Sequence, residues 1–228
     1  MAKPVRWVTY TGTEERDEFT GGAYGDQIYG LGGDDELHGG DGGDDIRGGS
    51  GDDWIYGEGG SDPVLMGHEG NDHIFGGEGD DALFGQEGND LLHGGAGNDL
   101  IGSGPGNDTL TGGQGADRFS MVSNWDVGMN VHTITDFNRS EADYIDMKGI
   151  DADGISSNNT RKGNTDFTVV SSPTGAAGEA WMAEIRDPLT GAVSGTSIYL
   201  NTDSDPEADT RIDVLGVTDL RWGVDILG

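Results

Sequence analysis

Twelve aspartates pace the first half of this 228-residue chain: Asp17, Asp26, Asp35, Asp44, Asp53, Asp62, Asp72, Asp81, Asp90, Asp99, Asp108 and Asp117. Two residues after each comes an apolar side chain: Phe19, Ile28, Leu37, Ile46, Ile55, Val64, Ile74, Leu83, Leu92, Ile101, Leu110 and Phe119. The interval is nine residues, with one of ten after Asp62. Carboxylates are hard, anionic oxygen donors. Brought together on a fixed period, they repel one another unless a cation stands between them. The chemistry they suit is the binding of an oxygen-loving divalent ion.

The carrier of these aspartates is one unit, Gly-x-x-Gly-x-Asp-x-U-x with U apolar, written twelve times from Gly12 to Ser120 with a single extra residue, Met66, between the sixth and seventh copies. The six residues rich in Gly, Asp and Asn predict a turn, because glycine alone tolerates positive φ freely. The last three, x-U-x, predict a short strand with U on one face. Two units then make one coil, and repeat n stacks on repeat n+2 at about 4.8 Å. The fold class expected is all-β: a parallel β-roll, a right-handed solenoid of nonapeptides, followed by an irregular β cap. Stacking sorts the aspartates into an odd column (Asp17, Asp35, Asp53, Asp72, Asp90, Asp108) and an even column (Asp26, Asp44, Asp62, Asp81, Asp99, Asp117). One buried apolar side chain per unit does not offset the ordering of nine backbones. Calcium suits such columns better than magnesium, since turn carbonyls and carboxylates form a flexible, nearly water-free oxygen cage.

Local departures shape the expectation. The first two copies carry Glu15 and Tyr24 where the fourth-position glycine belongs, and Ser103 alone replaces the first glycine. Pro63 lies in the sixth strand, where it removes a ladder donor, and Met66 follows as one residue too many. A bulge there, keeping the side of the roll, is predicted. Residues 1–11, with Trp7, Val8 and Tyr10, read as a strand that caps the first repeat.

Charge and composition narrow the function classes. The net charge is -31, and residues 12–120 hold 25 acidic and three basic residues. Nucleic acid and anionic membrane surfaces are poor partners for such a chain. Without cysteine there is no disulfide and no thiol catalysis. No apolar run approaches the ~20 residues of a membrane helix, so no membrane insertion is expected. Met1-Ala2-Lys3-Pro4-Val5-Arg6 leads into no apolar segment, so a cleavable secretory signal is not expected. The histidines, His38, His68, His73, His93 and His132, form no H-E-x-x-H zinc motif. No nucleophile elbow or phosphate loop appears, and the chain reads as a non-enzyme.

Residues 121–228 read as irregular β, with strands at 131–137, 144–147, 167–170, 180–185, 196–200 and 211–217. Asp136 and Asp143 are candidate ligands for a further ion at the end of the roll; the alternative is that they cap backbone amides. The loop with Asp203, Asp205 and Asp209 suits a calcium loop, although it lacks EF-hand spacing, and a solvated acidic turn is the alternative.

Units such as Gly39-Gly40-Asp41-Gly42-Gly43-Asp44-Asp45-Ile46-Arg47 and Gly76-Gly77-Glu78-Gly79-Asp80-Asp81-Ala82-Leu83-Phe84 resemble the RTX (repeats-in-toxin) nonapeptide, a calcium-binding repeat. The resemblance implies a ligand pattern. One repeat gives carbonyls two and four with its aspartate; the repeat two further on gives carbonyls one and three with its own. Carried over, the carbonyls are those of Gly57, Gly67, Gly76, Gly85, Gly94 and Gly112 at position one, and Gly40, Gly49, Gly77, Gly95 and Gly104 at position two. Gly59 and Ala96 serve at position three, and Gly42, Gly51, Gly60, Gly70, Gly79, Gly88, Gly97 and Gly106 at position four. The aspartates Asp26 to Asp117 complete the set, with the degenerate first repeats, and Asp17 among them, weaker. About eight calcium ions follow from the intact pairs.

The second half resembles the C-terminal segment of serralysin-type metalloproteases. The matching pieces are Gly115-Ala116-Asp117-Arg118-Phe119, Ile134-Thr135-Asp136-Phe137, Asp143-Tyr144-Ile145-Asp146-Met147, Ala177-Gly178-Glu179-Ala180 and Asp225-Ile226-Leu227. That resemblance implies a cap on the roll, an uncleaved type I secretion signal with the exporter as partner, and folding outside the cell in calcium. The final Gly228 departs from the pattern. Two rival roles stay open. One is a polysaccharide- or surface-binding module, an adhesin or an epimerase R-module-like unit. Its cue is the outward stripe of Trp54, Tyr56, His73, Phe75 and His93, which a second copy or terminal segments could equally cover. The other is the non-catalytic tail of a serralysin-like protease.

Overall fold

The computed structural model describes residues 7–121, 130–147, 168–169, 179–201, 210–221 and 225–227. The nonapeptides fold into strands β1 (Thr9–Thr11), β2 (Glu18–Thr20), β3 (Gln27–Gly32), β4 (Glu36–Asp41), β5 (Asp45–Ser50), β6 (Trp54–Gly59) and β7 (Val64–Glu69). They continue as β8 (His73–Glu78), β9 (Ala82–Glu87), β10 (Leu91–Ala96), β11 (Leu100–Gly102), β12 (Thr109–Gln114) and β13 (Arg118–Ser120). Odd-numbered strands form one parallel sheet and even-numbered strands the other, each strand pairing with the one two along. Ile28 faces Ile46, which faces Leu65; Leu37 faces Ile55, which faces Ile74. The protein is an all-β parallel solenoid of about six turns with irregular strands at its C-terminal end.

The core is one column of apolar residues per sheet, meeting between the sheets. Ile28, Leu37, Ile46, Ile55, Leu65, Ile74, Leu83, Leu92, Ile101, Leu110 and Phe119 are fully buried. At the first coil Tyr10 takes the U place beside Ile28. Its ring stacks on Phe19 at 4.2 Å and closes the open end.

Strands are twice as long as the three-residue reading. Apart from β1, β2, β11 and β13, they run six residues, from position seven through position three of the next unit, so the turn shrinks to positions four to six. Positions two and three pair as the x-U-x triplet does, for example Gly40 with Glu58 and Asp41 with Gly59. Turn amides are used too. The seventh amide donates to the aspartate carbonyl two repeats back, as from Asp45 to Asp26 at 2.8 Å and from Leu91 to Asp72 at 2.8 Å. The fourth amide donates to the third-position carbonyl two repeats on, as from Gly79 to Ala96 at 2.7 Å.

The ten-residue unit is resolved differently from expectation. Val64 aligns with Asp45, Leu65 with Ile46 and Met66 with Arg47. The extra residue is therefore Pro63, in the bend after Asp62, and the buried U is Leu65 rather than Val64. The ladder beside β5 has no bulge. A proline at position seven would delete the amide that this place donates. Moving it into the bend lets Val64 fill the place.

Two glycine positions have distinct causes. At position four φ is strongly positive, and a methyl group on Gly79 would stand 1.7 Å from the Gly60 carbonyl oxygen. At position two, Gly40, Gly49, Gly77, Gly95, Gly104 and Gly113 take φ of 102–124°, whereas Leu31, Glu58, His68 and Gln86 take 71–84°. Side chains there are tolerated by retreating into the left-handed basin.

The two sheets run on past Ser120. β14 (Asn130–Ile134) adds to β12, with Leu110 facing Ile134, and β15 (Tyr144–Asp146) adds to β13, with Phe119 facing Ile145. The remaining strands are β16 (Thr168–Val169), β17 (Glu179–Arg186), β18 (Val193–Asn201), β19 (Thr210–Leu215) and β20 (Ile226–Leu227). β19 lies parallel to β14 and antiparallel to β18, which pairs antiparallel with β17, and β20 pairs with β15. Arg139 anchors this end through Asp225, with Nε at 2.7 Å and Nη2 at 2.6 Å. Each strand read from the second half of the sequence has a counterpart here.

The packing predicts opposite outcomes at the two glycine positions. Gly79→Ala is expected to lose at least ~2 kcal/mol, and Gln86→Gly to gain up to ~1 kcal/mol by relief of left-handed strain. Denaturant unfolding in saturating calcium measures both.

Candidate metal centre

Beyond the first unit, every sixth-position aspartate enters the roll. Asp26 through Asp117 are each at most 3% exposed. One oxygen of each has a fixed duty. Asp44 Oδ1 accepts from the Asp26 amide at 2.6 Å, Asp62 Oδ1 from Asp44 at 2.7 Å, and Asp81 Oδ1 from Asp62 at 2.8 Å. The odd column repeats this, Asp53 accepting from Asp35 at 2.8 Å and Asp90 from Asp72 at 2.9 Å.

The other oxygen has none. Oδ2 of Asp35, Asp44, Asp53, Asp62, Asp72, Asp81, Asp90, Asp99, Asp108 and Asp117 is buried without a hydrogen-bond partner. Ten such acceptors cannot be left bare cheaply. The first repeats differ. Asp17 Oδ2 accepts from the Thr13 amide at 2.6 Å, and Asp26 Oδ2 from the Gly22 amide at 3.0 Å.

Position one explains where the bare oxygen sits. A methyl group at Gly57 would lie 2.1 Å from Asp62 Oδ2 and 2.6 Å from the Gly76 carbonyl oxygen. At Gly94 the corresponding distances are 2.3 Å to Asp99 Oδ2 and 2.6 Å to the Gly112 oxygen. A carboxylate oxygen and the position-one carbonyl two repeats on thus face a common point, over a glycine that leaves room for them. Carbonyls at positions two and four face the next coil: Gly42 O points at Gly60, and Gly22 O at Gly40. Among the described residues no three His, Cys, Asp or Glu side chains converge as a metal cluster. An ion here leans on backbone carbonyls, which is the donor set of a hard cation such as calcium.

On their own, the columns of carboxylates are electrostatically costly. Burial pushes Asp44, Asp72 and Asp117 up to about 6, Asp53, Asp62 and Asp99 to about 7, and Asp90 to about 8. Desolvation is the main cause; the amide donated to Oδ1 opposes it, and neighbouring carboxylates add to it.

The candidates beyond the repeats fare differently. Asp136 caps the amides of Gly112 and Gly113 at 2.9 and 2.8 Å. Asp143 extends the even column, its Oδ1 accepting from Asp117 at 3.0 Å and its Oδ2 from Asn138 at 2.7 Å. Asp203, Asp205 and Asp209 lie outside the described residues.

Three features were missed in the sequence. Position five forms a second, outer ladder: Asn89 Oδ1 accepts from the Asn107 amide at 2.9 Å and Asn71 Oδ1 from Asn89 at 3.0 Å. The recurrence of Asp or Asn there was its signal. The triplets His132-Thr133-Ile134 and Asp143-Tyr144-Ile145 are further rungs, legible as the x-x-U spacing without its glycines. Finally, the aromatic stripe is a stack. His38 lies on Tyr56 at 4.5 Å, Tyr56 on Phe75 at 5.2 Å, and Trp54 on His73 at 4.2 Å, with interplanar angles of 4–11°.

A family model described as the RTX calcium-binding nonapeptide repeat matches four times, over residues 11–46, 38–62, 66–101 and 93–120. No curated protein matches the chain.

The raised carboxylates set a sign for pH dependence. Without calcium the folded columns hold protons that the unfolded carboxylates, near 3.9, release. Between about pH 4 and 8 the folded state binds more protons, so stability falls as pH rises. In chelator, the β-signal in circular dichroism is expected to grow from pH 8 to pH 5. A signal that falls over that range removes the columns as the cause.

Proposed function

With residues 11–120 an array of RTX calcium-binding nonapeptide repeats, we propose that calcium drives the folding of this chain, and that folding is completed outside the cell after type I export. The single observation behind the reading is the set of ten buried, partnerless carboxylate oxygens. At Asp35, Asp44, Asp62, Asp81 and Asp99 a position-one carbonyl oxygen two repeats on lies near the same point, and the pair suits a hard cation. An ion that binds only the folded roll stabilises it by mass action, so the chain stays unfolded where calcium is scarce. The rungs whose aspartates are both bare at Oδ2 are Asp35/Asp53, Asp53/Asp72, Asp72/Asp90 and Asp90/Asp108 on one edge. The other edge has Asp44/Asp62, Asp62/Asp81, Asp81/Asp99 and Asp99/Asp117. About eight ions, one per rung, would neutralise roughly half of the -31 charge.

RTX repeats are typically non-catalytic and RTX proteins generally secreted, and the proposed role is an ion-dependent scaffold rather than an enzyme. No helix among the described residues is long and apolar enough to cross a membrane. Attachment to a serralysin-like protease is compatible with the same physics and would make this chain its non-catalytic part. The polysaccharide role, as an adhesin or R-module-like unit, has a weaker footing. The rings of Trp54, Tyr56, His73 and Phe75 turn their faces onto one another, and a sugar needs a free face. Self-association through their edges is the more natural use of that surface.

Calcium titration followed by far-UV circular dichroism, with magnesium as control, tests the proposal. A cooperative gain of β-signal with calcium alone is expected; a signal complete in chelator at pH 7.5 would sink it. Asp62→Asn belongs to two rungs and is expected to lose about two ions from the calorimetric stoichiometry.

A further inference from the structure

The outer face of the odd-numbered sheet carries a groove of about 450 Å3, within the ~300–1,000 Å3 of small-ligand sites. Its floor is Gly48 and Gly49 on β5. In register, Gly49 lies between Leu31 of β3 and His68 of β7, and Gln86 of β9 stands beyond His68. A side chain is missing at Gly49 and present on both sides, and that gap is the groove. Tyr29 and Arg47 line it from position nine, Glu69 and Glu87 from position three. The two ends are thus three residues, roughly 10 Å, apart along the strands.

The walls are made at a conformational cost. Among the described residues five other than glycine have positive φ, and three of them line this groove: Leu31 at 81°, His68 at 84° and Gln86 at 76°. On the other sheet position two is Gly22, Gly40, Gly77, Gly95 and Gly113, with Glu58 the one exception. A glycine in each of the three places would remove the strain, and the wall with it. The core does not need these side chains. None of the three belongs to it, and Leu31 is 44% exposed. Residues held in strained conformations gather at ligand sites.

The polar groups of the lining narrow the ligand. Arg47 is held by Asp45 at 3.1 Å and lies over the Tyr29 ring at 5.5 Å. Gln86 donates Nε2 to Met66 Sδ at 3.3 Å, which leaves its carbonyl oxygen to accept. The side chains of Ser50, His68, Glu69 and Glu87 have no hydrogen bond or ion pair among the described residues. Glu69 and Glu87 are cross-strand neighbours, so their end of the groove repels an anion. Arg47 at the other end disfavours a cation. A neutral ligand that both donates and accepts satisfies the two ends together, with Leu31 against its apolar side. We propose that this groove is a binding subsite for a neutral saccharide, whose hydroxyls are shared among Arg47, His68, Gln86 and the Glu69–Glu87 pair. The aromatic stack, on the other sheet, takes no part, and the groove stands apart from the aspartate columns.

The test uses the full chain saturated with calcium, titrated with maltohexaose, cellohexaose, xylohexaose and mannohexaose and followed by NMR. At least one of the four is expected to move the Gly48, Gly49 and Ser50 amide signals and the His68 ring signals, saturating at millimolar concentration. Oligogalacturonate, an anionic counterpart, is expected to move none of them. His68→Gly and Gln86→Gly relieve left-handed strain. Both are expected to unfold at higher denaturant than wild type while losing at least ~10-fold in saccharide affinity. Gly49→Gln fills the gap and is expected to abolish binding with the calcium count unchanged. Groove signals that none of the neutral sugars moves, or that oligogalacturonate moves in their place, would overturn the proposal. So would an affinity unchanged in all three variants. The wild-type titration needs no variant to fold. The calcium titration tests the columns separately, since a roll already folded in chelator would keep its groove.

Discussion

The whole architecture hangs on a carboxylate that spends one oxygen on the backbone and keeps the other bare. From Asp35 to Asp117, Oδ1 of each column aspartate receives the amide of the aspartate two repeats earlier, which locks successive coils into register. Oδ2 is left buried and unpaired. The same side chain is therefore both the stitch between coils and the source of their instability. Without an ion, burial drives these groups toward the protonated form, as far as about 8 at Asp90. A row of cations, one per rung, would resolve the conflict by meeting the bare oxygens and their carbonyl neighbours. Packing alone has little to oppose that cost, since each nine-residue unit buries one apolar side chain.

The glycines follow from this constraint. Position one is glycine because the bare oxygen and a carbonyl crowd the space where a side chain would begin. Position four is glycine because the coil beneath sends its carbonyl to within 2 Å of that point, as Gly60 does at Gly79. Position two is looser, and four of its side chains, Leu31, Glu58, His68 and Gln86, bend into the left-handed basin without breaking the ladder. The order of tolerance is thus set by how near each position lies to the column of oxygens.

Much of this was legible in the sequence. The aspartate and U periods gave the two columns and the n to n+2 stacking, because both are set by side-chain identity at every turn. Strand length was not legible, since glycines at positions one to three look like turn while pairing as strand. The misplaced insertion has a similar origin. Val64 and Leu65 both satisfy an apolar pattern, and only the seventh-position amide, which Pro63 lacks, decides between them. The place of His132 was not legible, because glycine and aspartate together mark the other rungs. The thirteenth rung keeps the backbone register and has neither residue in its usual place.

The two ends of the roll show what happens where the pattern stops. At the first coils, Asp17 and Asp26 turn their second oxygens to amides of their own turns. At the far end, the even column finishes on Asp143, with both oxygens satisfied by amides. Three of the four column ends thus satisfy their last carboxylate with backbone amides. The fourth, at Asp108, meets an imidazole instead, next to the single serine among the position-one residues. A column closed by an amide donor is sealed against cations.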